Sequence, residues 1–296
     1  MKKIIAVIFL ALTLCSCTQK AEKTDKFNIV TTIFPQYDFA RAIGADSAEY
    51  TMLIKPGGEV HTYEPTPADI IKIKECDLFI CVGGESESWL EKIIKSTKIP
   101  ENKILRIMDC VNDKITEEEH DEYDEHVWTS PVNARIITKA IEEKMCELNE
   151  KDSEIYKSNF EAYDKKLKTL DEDFRNTVKN GKRNTILVAD RFPLRYLTEE
   201  YGLKYYAAFP GCSEESEPSP AKIAFLIDKL KEEKLPVVFK VDFSNGKIAE
   251  TVTENTDSKI LTLNSCHTVS AKDFENNITY LDLMRKNLDN IGEALK

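Results

Sequence analysis

The feature that most constrains the fold is a long amphipathic stretch near the middle of the chain. Between residues 152 and 178, apolar side chains recur at spacings of three and four, which aligns them along one face of a helix whose other face is highly charged. Asn180-Gly181 then supplies a helix stop. A helix of about 27 residues is about 40 Å long. The sequence therefore predicts a strut that runs the length of the protein, with an apolar stripe of Tyr156, Phe160, Tyr163, Leu167, Leu170, Phe174 and Val178.

Short apolar runs alternate with helical patterns on both sides of this strut. Such alternation is typical of parallel sheets that carry helices on their faces. We predict the α/β class, with two (β/α) lobes at 27–150 and 182–296, mainly parallel four-stranded sheets, and a long rigid helix at 151–181 that joins them beside a cleft. The predicted strands are 28–33, 50–54, 78–82, 104–108, 185–189, 204–209, 237–241 and 259–263, and the predicted helices are 36–43, 68–75, 88–96, 194–201, 220–233, 247–255 and 274–295.

The composition excludes two classes of protein. The chain has 41 Lys and Arg against 52 Asp and Glu, a formal charge of −11, whereas a nucleic-acid binder needs a basic surface to displace phosphate counterions. Hydrophobic residues make up 42% of the chain, too many for a disordered protein. After the first 16 residues, no segment has the about 20 consecutive apolar residues that cross a bilayer.

The first residues are typical of an export signal. A basic start at Lys2 and Lys3 is followed by a mainly apolar segment at 4–14, too short to span a membrane. Ser16-Cys17 fits the cleavage and lipidation point of a bacterial lipoprotein. We therefore predict a signal peptide at 1–16, a lipid on Cys17, a tether at 17–26 and a location outside the cytoplasmic membrane; the alternative is a leader cut elsewhere, without a lipid.

Six further cysteines follow the leader, and export would bring them into an oxidising environment in which disulfides can form. Two of them, Cys212 and Cys266, stand in loop-like sequence after predicted strands. The other four lie in apolar, periodic runs, where cysteine packs as a small hydrophobic residue; these are Cys76, Cys81, Cys110 and Cys146.

Three of the four histidines fall at the predicted cleft. His61 and His267 follow strands, and His126 precedes a helix start, while His120 lies in an acidic run at 117–125. In open parallel sheets, ligands bind at the carboxyl ends of the strands. Because neutral imidazole is a common ligand of transition metals, the histidines indicate either a metal site or hydrogen-bonded loop histidines.

Two segments around these histidines resemble the zinc/manganese solute-binding proteins of bacterial ABC importers. Residues 58–70 (GEVHTYEPTPADI) look like the first signature of that family, and residues 124–134 (DEHVWTSPVNA) resemble the second, usually written D-P-H-x-W-x-S-P-x-N-A. The resemblance implies that His61 and His126 bind one metal ion between the lobes. It also implies delivery of the ion to a permease and its ATPase by a monomer that is not an enzyme and that meets the membrane only through its lipid.

The chain departs from the family at two ligand positions. The third ligand, His or Glu, corresponds to Arg191, which stays protonated and cannot bind a metal. The fourth, usually Asp, corresponds to Asn264, a poor ligand. His267 is the favoured replacement, and Asp190 is either a ligand or a salt-bridge partner of Arg191.

Two alternative roles are also open for the two loop cysteines. Cys212 and Cys266 are predicted either to bind the metal or to form a disulfide that shapes the cleft.

Ligand chemistry ranks zinc first and manganese second. Nitrogen and sulfur donors suit zinc, whereas a contribution from Asp190 would favour manganese or iron. Glu59 is a candidate weak oxygen ligand, and the acidic run with His120 either gathers cations or is a solvated loop. Packing around the metal histidines is the predicted role of Tyr63, Glu64 and Trp128.

Two other functions are consistent with the sequence. A surface adhesin, or a relative that has lost its metal, would explain the two missing ligands. A zinc hydrolase with Glu59 or Glu64 as its base is the third reading, but the sequence lacks the H-E-x-x-H helix and a nucleophile elbow.

Overall fold

Two four-stranded parallel sheets form the framework of the protein. The computed structural model describes residues 26–59, 62–114, 123–211 and 217–296, with the backbone alone described at 112–114. The first sheet has the strand order β2-β1-β3-β4 and the second the order β6-β5-β7-β8, and every pairing is parallel. The two halves therefore repeat one topology, and the predicted α/β class with two lobes is confirmed.

The strands lie close to their predicted places. Those of the first sheet are β1 (Phe27–Thr31), β2 (Ala48–Met52), β3 (Leu78–Cys81) and β4 (Ile104–Arg106), and those of the second are β5 (Thr185–Phe192), β6 (Lys204–Pro210), β7 (Val237–Val241) and β8 (Lys259–Leu263).

Ten α-helices cover the sheets in the described part of the chain. They are α1 (Phe34–Gly44), α2 (Pro67–Glu75), α3 (Leu90–Thr97), α4 (Pro131–Leu148), α5 (Ser153–Asn180), α6 (Arg195–Tyr201), α7 (Pro220–Glu232), α8 (Lys247–Thr253), α9 (Ala271–Glu275) and α10 (Tyr280–Ala294). None of them is both long and apolar enough to cross a membrane. The predicted signal peptide and Cys17 lie outside the described residues.

Local sequence explains where several of these helices begin. Ser130 accepts a hydrogen bond from the Asn133 N–H, and Pro131 follows it at the first helical position, so α4 starts directly after the His126 segment. Thr66 and Asp69 form a capping box at the start of α2. These caps fix the points at which the chain leaves the cleft.

The predicted strut is helix α5, which has 28 residues and is about 42 Å long. It packs against α1 and α4 of the first half and against α10 of the second. Its stripe joins a hydrophobic core that contains residues of both halves. The two sheets are therefore tied to one shared core; the fully or nearly buried residues of the stripe are Tyr156, Tyr163, Leu167, Leu170 and Phe174.

The prediction of a single helix at 274–295 is wrong. The chain forms α9 and α10 instead, because Asn277 adopts a left-handed conformation with φ of 56° and Thr279 starts a new helix through a capping box with Asp282. A second difference concerns β5, which runs three residues past its predicted end and so includes Arg191.

We expect the strut to contribute strongly to stability. Leu170→Ala removes a fully buried side chain from the shared core and is expected to lower the free energy of unfolding by about 2–5 kcal/mol. Urea unfolding of the metal-free protein measures the effect. The exposed Lys168→Ala on the same helix is the control, with an expected change within about 0.5 kcal/mol; equal effects of the two substitutions would contradict the assigned burial.

Candidate metal centre

A cavity of about 180 Å³ lies between the two halves of the protein. His126 enters it from the loop before α4, and His267 enters it from the loop after β8. The lining thus collects side chains from segments far apart in sequence, as expected for the carboxyl ends of parallel strands. Its other described residues are Gly57, Gly58, Glu59, Arg191, Pro193, Gly211, Val241, Asp242, Phe243, Ser265 and Thr268.

His126 is fully buried and is oriented by a carboxylate. Asp124 Oδ1 accepts a hydrogen bond from the backbone N–H of His126 at 2.8 Å and lies 2.6 Å from its Nδ1. A carboxylate at Nδ1 favours the tautomer that carries its proton there, which places the ring's lone pair on Nε2. His126 can therefore coordinate a metal ion through the lone pair on its Nε2.

The segment that carries His126 is tied to the second half of the chain by three hydrogen bonds. The Tyr196 hydroxyl donates to the Asp124 carbonyl at 2.7 Å. The Trp128 indole N–H donates to the Ser265 carbonyl at 2.9 Å, and the Tyr280 hydroxyl donates to the Trp128 carbonyl at 2.7 Å. Trp128 thus has the packing role that the sequence predicts.

His267 is held next to His126. Its carbonyl accepts a hydrogen bond from the Phe34 N–H at the start of α1, and its ring centroid lies 4.5 Å from that of His126 in an edge-on arrangement. The Trp128 ring is 4.9 Å from the same imidazole. Two imidazoles from opposite halves of the chain therefore stand side by side at one cavity.

A further contact ties the loop after β2 to the loop after β8. The Gly57 N–H donates to Thr268 Oγ1 at 2.9 Å, and Gly57 has a φ of 77°, a conformation that favours glycine. His61 lies outside the described residues, four positions beyond Gly57. Cys212 and His120 also lie outside them.

Asp190 does not line the cavity. Its oxygens accept hydrogen bonds from the backbone N–H groups of Arg191 at 2.9 Å and Val241 at 3.3 Å. The predicted salt bridge with the Arg191 guanidinium is wrong, because the register of β5 shifts between Val188 and Arg191 and the Asp190 carboxylate satisfies backbone groups at this irregularity.

Cys266 is placed in the hydrophobic core rather than in the cleft. It is a free cysteine, and Cys212, its partner in the predicted disulfide, lies outside the described residues. Burial raises the pKa of its thiol well above the usual value, which keeps the group protonated. Its φ of 61° turns the chain, so that the core receives Cys266 and the cavity receives His267.

Of the four remaining candidate residues, one lines the cavity and three do not. Glu59 lines the cavity and is exposed, whereas Glu64 is exposed and does not line it. The Tyr63 hydroxyl donates to Asp69 at the start of α2, so it supports a cap. The amide groups of Asn264 pair with Asn287.

Asp242 lines the cavity directly after β7 and was not among the residues predicted from the sequence. Its carboxylate accepts hydrogen bonds from the Ser265 N–H at 2.9 Å and Ser265 Oγ at 3.3 Å. Burial raises its pKa to about 6. The rule that found the histidines, inspection of the residue after each strand, also identifies this carboxylate.

The described residues supply an incomplete ligand set on their own. Across 26–59, 62–114, 123–211 and 217–296, no group of three or more His, Cys, Asp and Glu side chains is close enough to hold a metal ion. The two imidazoles and Asp242 line one cavity without closing around a common point.

The loop after β3 supports the His126 segment from the other side. Glu125 accepts hydrogen bonds from the Ser86 N–H at 2.8 Å and from the Ser86 hydroxyl. A Cβ at Gly84 would overlap the Glu125 carboxyl group, so the close approach requires glycine there. Neighbouring Glu87 is buried, and desolvation raises its pKa to about 6.

Comparison with known proteins assigns the family. The model of the family described as zinc-uptake complex component A, periplasmic, matches residues 29–294. The high-affinity zinc uptake system protein ZnuA of Bacillus subtilis is 30% identical over 313 residues, which cover 99% of this chain and 96% of that protein. The zinc-binding lipoprotein AdcA of Streptococcus pneumoniae is 28% identical, and the match covers 97% of this chain but only 60% of AdcA.

Solved structures give the same result. The metal-dependent lipoprotein YcdH of Bacillus subtilis has a TM-score of 0.80 at 30% identity, covering 92% of this chain and 100% of that one. The Zn(II)-bound ZnuA-like domain of Streptococcus pneumoniae AdcA has a TM-score of 0.78 at 27% identity, covering 91% and 99%. The fold and the histidine-lined cleft define a two-lobed solute-binding protein. The chain belongs to the family of periplasmic zinc-uptake complex component A.

Asp124 is expected to set the metal affinity of His126. Asp124→Asn keeps the side chain's size but weakens the bond to Nδ1, so we expect the zinc affinity to fall about 10–100-fold in a competition titration against a chromophoric chelator. Asp282→Asn, in the capping box of α10, is the matched control. It should lower stability but leave the affinity unchanged, and a fall of similar size in both variants would contradict the orienting role.

The raised pKa of Glu87 predicts a pH-dependent effect on stability. Its pKa rises from an ordinary 4.5 to about 6 in the folded protein, so the penalty for its ionised form is absent at low pH and appears as the pH rises through this interval. Glu87→Gln should therefore stabilise the protein by about 2 kcal/mol at pH 8 and by much less, about 0.4 kcal/mol, at pH 4.5. Urea unfolding at both pH values tests this, with exposed Glu85→Gln as the control; a gain independent of pH would contradict it.

Proposed function

We propose that the protein captures a divalent transition metal outside the cytoplasmic membrane and delivers it to the permease of an ABC importer. The observation that carries this proposal is the pair of imidazoles, His126 and His267, brought to one cavity from opposite halves of the chain. Family membership supports the same function, since the related proteins are named for zinc uptake and zinc binding.

We propose His61, His126 and His267 as the protein ligands. His61 lies in the signature that resembles the family's first metal motif, and the Gly57–Thr268 bond holds the start of its loop against the His267 loop. Asp242 is a fourth candidate, because its carboxylate lines the same cavity. Cys212 remains a candidate from the sequence alone, whereas the contacts of Asp190 and Cys266 argue against both.

The donor set favours zinc over manganese. Imidazole nitrogen suits zinc, and manganese prefers a larger share of carboxylate oxygen. Two or three histidines with at most one or two carboxylates therefore rank zinc first. The related proteins are named for zinc uptake and zinc binding, so we propose that the protein is not an enzyme.

The remaining parts of the proposal concern location and partners. We infer that Cys17 carries a lipid and that residues 17–26 tether the lobes to the outer face of the membrane. The protein would act as a monomer, with the permease and its ATPase as partners, with no nucleic acid, and with the lipid as its only membrane contact. We retain 27–150, 151–181 and 182–296 as its folded units.

Zinc titration of the metal-stripped, reduced protein tests the proposed function. A ligand at a thousandfold excess over its Kd stabilises a protein by about 4 kcal/mol, so we expect a large rise in Tm with zinc and a smaller one with manganese. His126→Ala and His267→Ala should each lose more affinity than the about 10–100-fold that an outer partner costs.

His120→Ala is the matched histidine control and should keep the wild-type affinity for zinc. Absence of a Tm shift with either metal would contradict metal capture and favour a metal-free relative of the same fold. A shift that survives both substitutions would contradict the ligand assignment.

A further inference from the structure

Arg191 occupies an unusual position for a charged side chain. It lies near the end of β5, is half-buried, and lines the cavity that contains His126 and His267. The register of β5 shifts between Val188 and Arg191, and such irregularities change the direction of the side chains that follow them. The irregularity in β5 therefore lies next to Arg191, which lines the candidate metal site.

This guanidinium has no protein partner among the residues that the structure describes, which sets Arg191 apart from the other arginines. Each of the other seven binds a carboxylate or carbonyl oxygen. These pairs are Arg41 with Asp38, Arg106 with Glu91 and Glu101, Arg135 with Asp164, Arg175 with Glu200, Arg183 with the Ala294 carbonyl, Arg195 with Glu199, and Arg285 with Asp173.

The charges at the cavity indicate what such a guanidinium would bind. Arginine remains protonated under all ordinary conditions, and a bound divalent ion would add two positive charges. The described lining offers two carboxylates, Glu59 and Asp242, and both oxygens of Asp242 already accept hydrogen bonds from Ser265. Neither carboxylate forms an ion pair with Arg191 in the described part of the chain, so the charge of this guanidinium is unpaired there in a partly enclosed space, where an unpaired charge is costly.

We propose that the cleft binds its metal ion together with a small planar oxyanion, of the bicarbonate or carboxylate class, held between the ion and the Arg191 guanidinium. The inference rests on the proposed function and adds a second component to its cargo. A guanidinium presents two parallel N–H donors that match such an anion, and one of its oxygens can then complete the coordination of the metal. The anion supplies a metal ligand at the position where the resemblance implies a His or Glu ligand and where Arg191 cannot bind a metal.

Binding of the ion and binding of the anion are thermodynamically linked. If the ion and the anion bind next to one another, each raises the affinity for the other by the same factor, typically about 5–150-fold. The zinc affinity of the wild-type protein should therefore depend on which anion the buffer contains, and the dependence should require Arg191.

The test is a zinc titration of the metal-stripped protein against a chromophoric chelator at one ionic strength, in perchlorate, chloride, acetate or bicarbonate. We expect acetate or bicarbonate to raise the wild-type affinity at least about fivefold over perchlorate. Arg191→Gln should abolish this difference, and Arg191→Lys, which keeps the charge but lacks the paired donors, should retain only part of it. Arg195→Gln is the matched control and should keep the full difference, since Arg195 pairs with Glu199 and does not line the cavity.

The outcomes separate this proposal from the function on which it rests. Tight zinc binding that is equal in all four salts would overturn the anion site and leave metal capture intact. An equal gain with chloride would overturn the planar oxyanion class, and a gain that persists in Arg191→Gln would overturn the role of Arg191. Absence of zinc binding in every salt would overturn both proposals.

Discussion

The carboxylate of Asp124 and the imidazole of His126 form the interaction on which the rest of the site depends. Both groups are fully buried; Asp124 Oδ1 contacts the backbone N–H and the Nδ1 of His126, whereas Asp124 Oδ2 has no hydrogen-bond partner among the described residues. Tyr196 and Trp128 attach this segment to the second half of the protein, while Glu125 and Ser86 attach it to the first. The ligand loop is thus fixed from two directions, and His267 reaches it as part of the same network.

This arrangement explains how two similar halves make one binding site. Each half has a parallel sheet whose carboxyl ends carry loops, but neither half supplies both described histidines. The strut α5 and the shared core hold the halves together, so the distance between the loops is set by packing rather than by a flexible hinge. We therefore expect metal entry to involve the loops at the cavity more than a rotation of the lobes.

Much of this architecture is predictable from sequence, because periodicity reports directly on burial. The stripe of the strut and the apolar runs of β7 and β8 located their elements to within a few residues. The break between α9 and α10 was missed, because a left-handed Asn277 leaves no mark in a hydrophobic pattern.

The motifs identified His126, and the position after β8 identified His267. The positions of Asp190 and Cys266 were not predictable, because a strand irregularity and a single left-handed residue decide which side chains face the cleft. Asp242 could have been predicted by the same reasoning, since it directly follows a strand.

We propose above all that a single divalent ion lies between His126 and His267. Anomalous diffraction at the zinc absorption edge from crystals of the zinc-loaded protein tests it most directly. We predict one strong peak in the cavity, at the zinc–nitrogen distance of about 2.0–2.1 Å from a ring nitrogen of each of these two histidines. A zinc peak elsewhere, for example along the acidic run at 117–125, or a peak bound to only one of the two imidazoles, would contradict the claim.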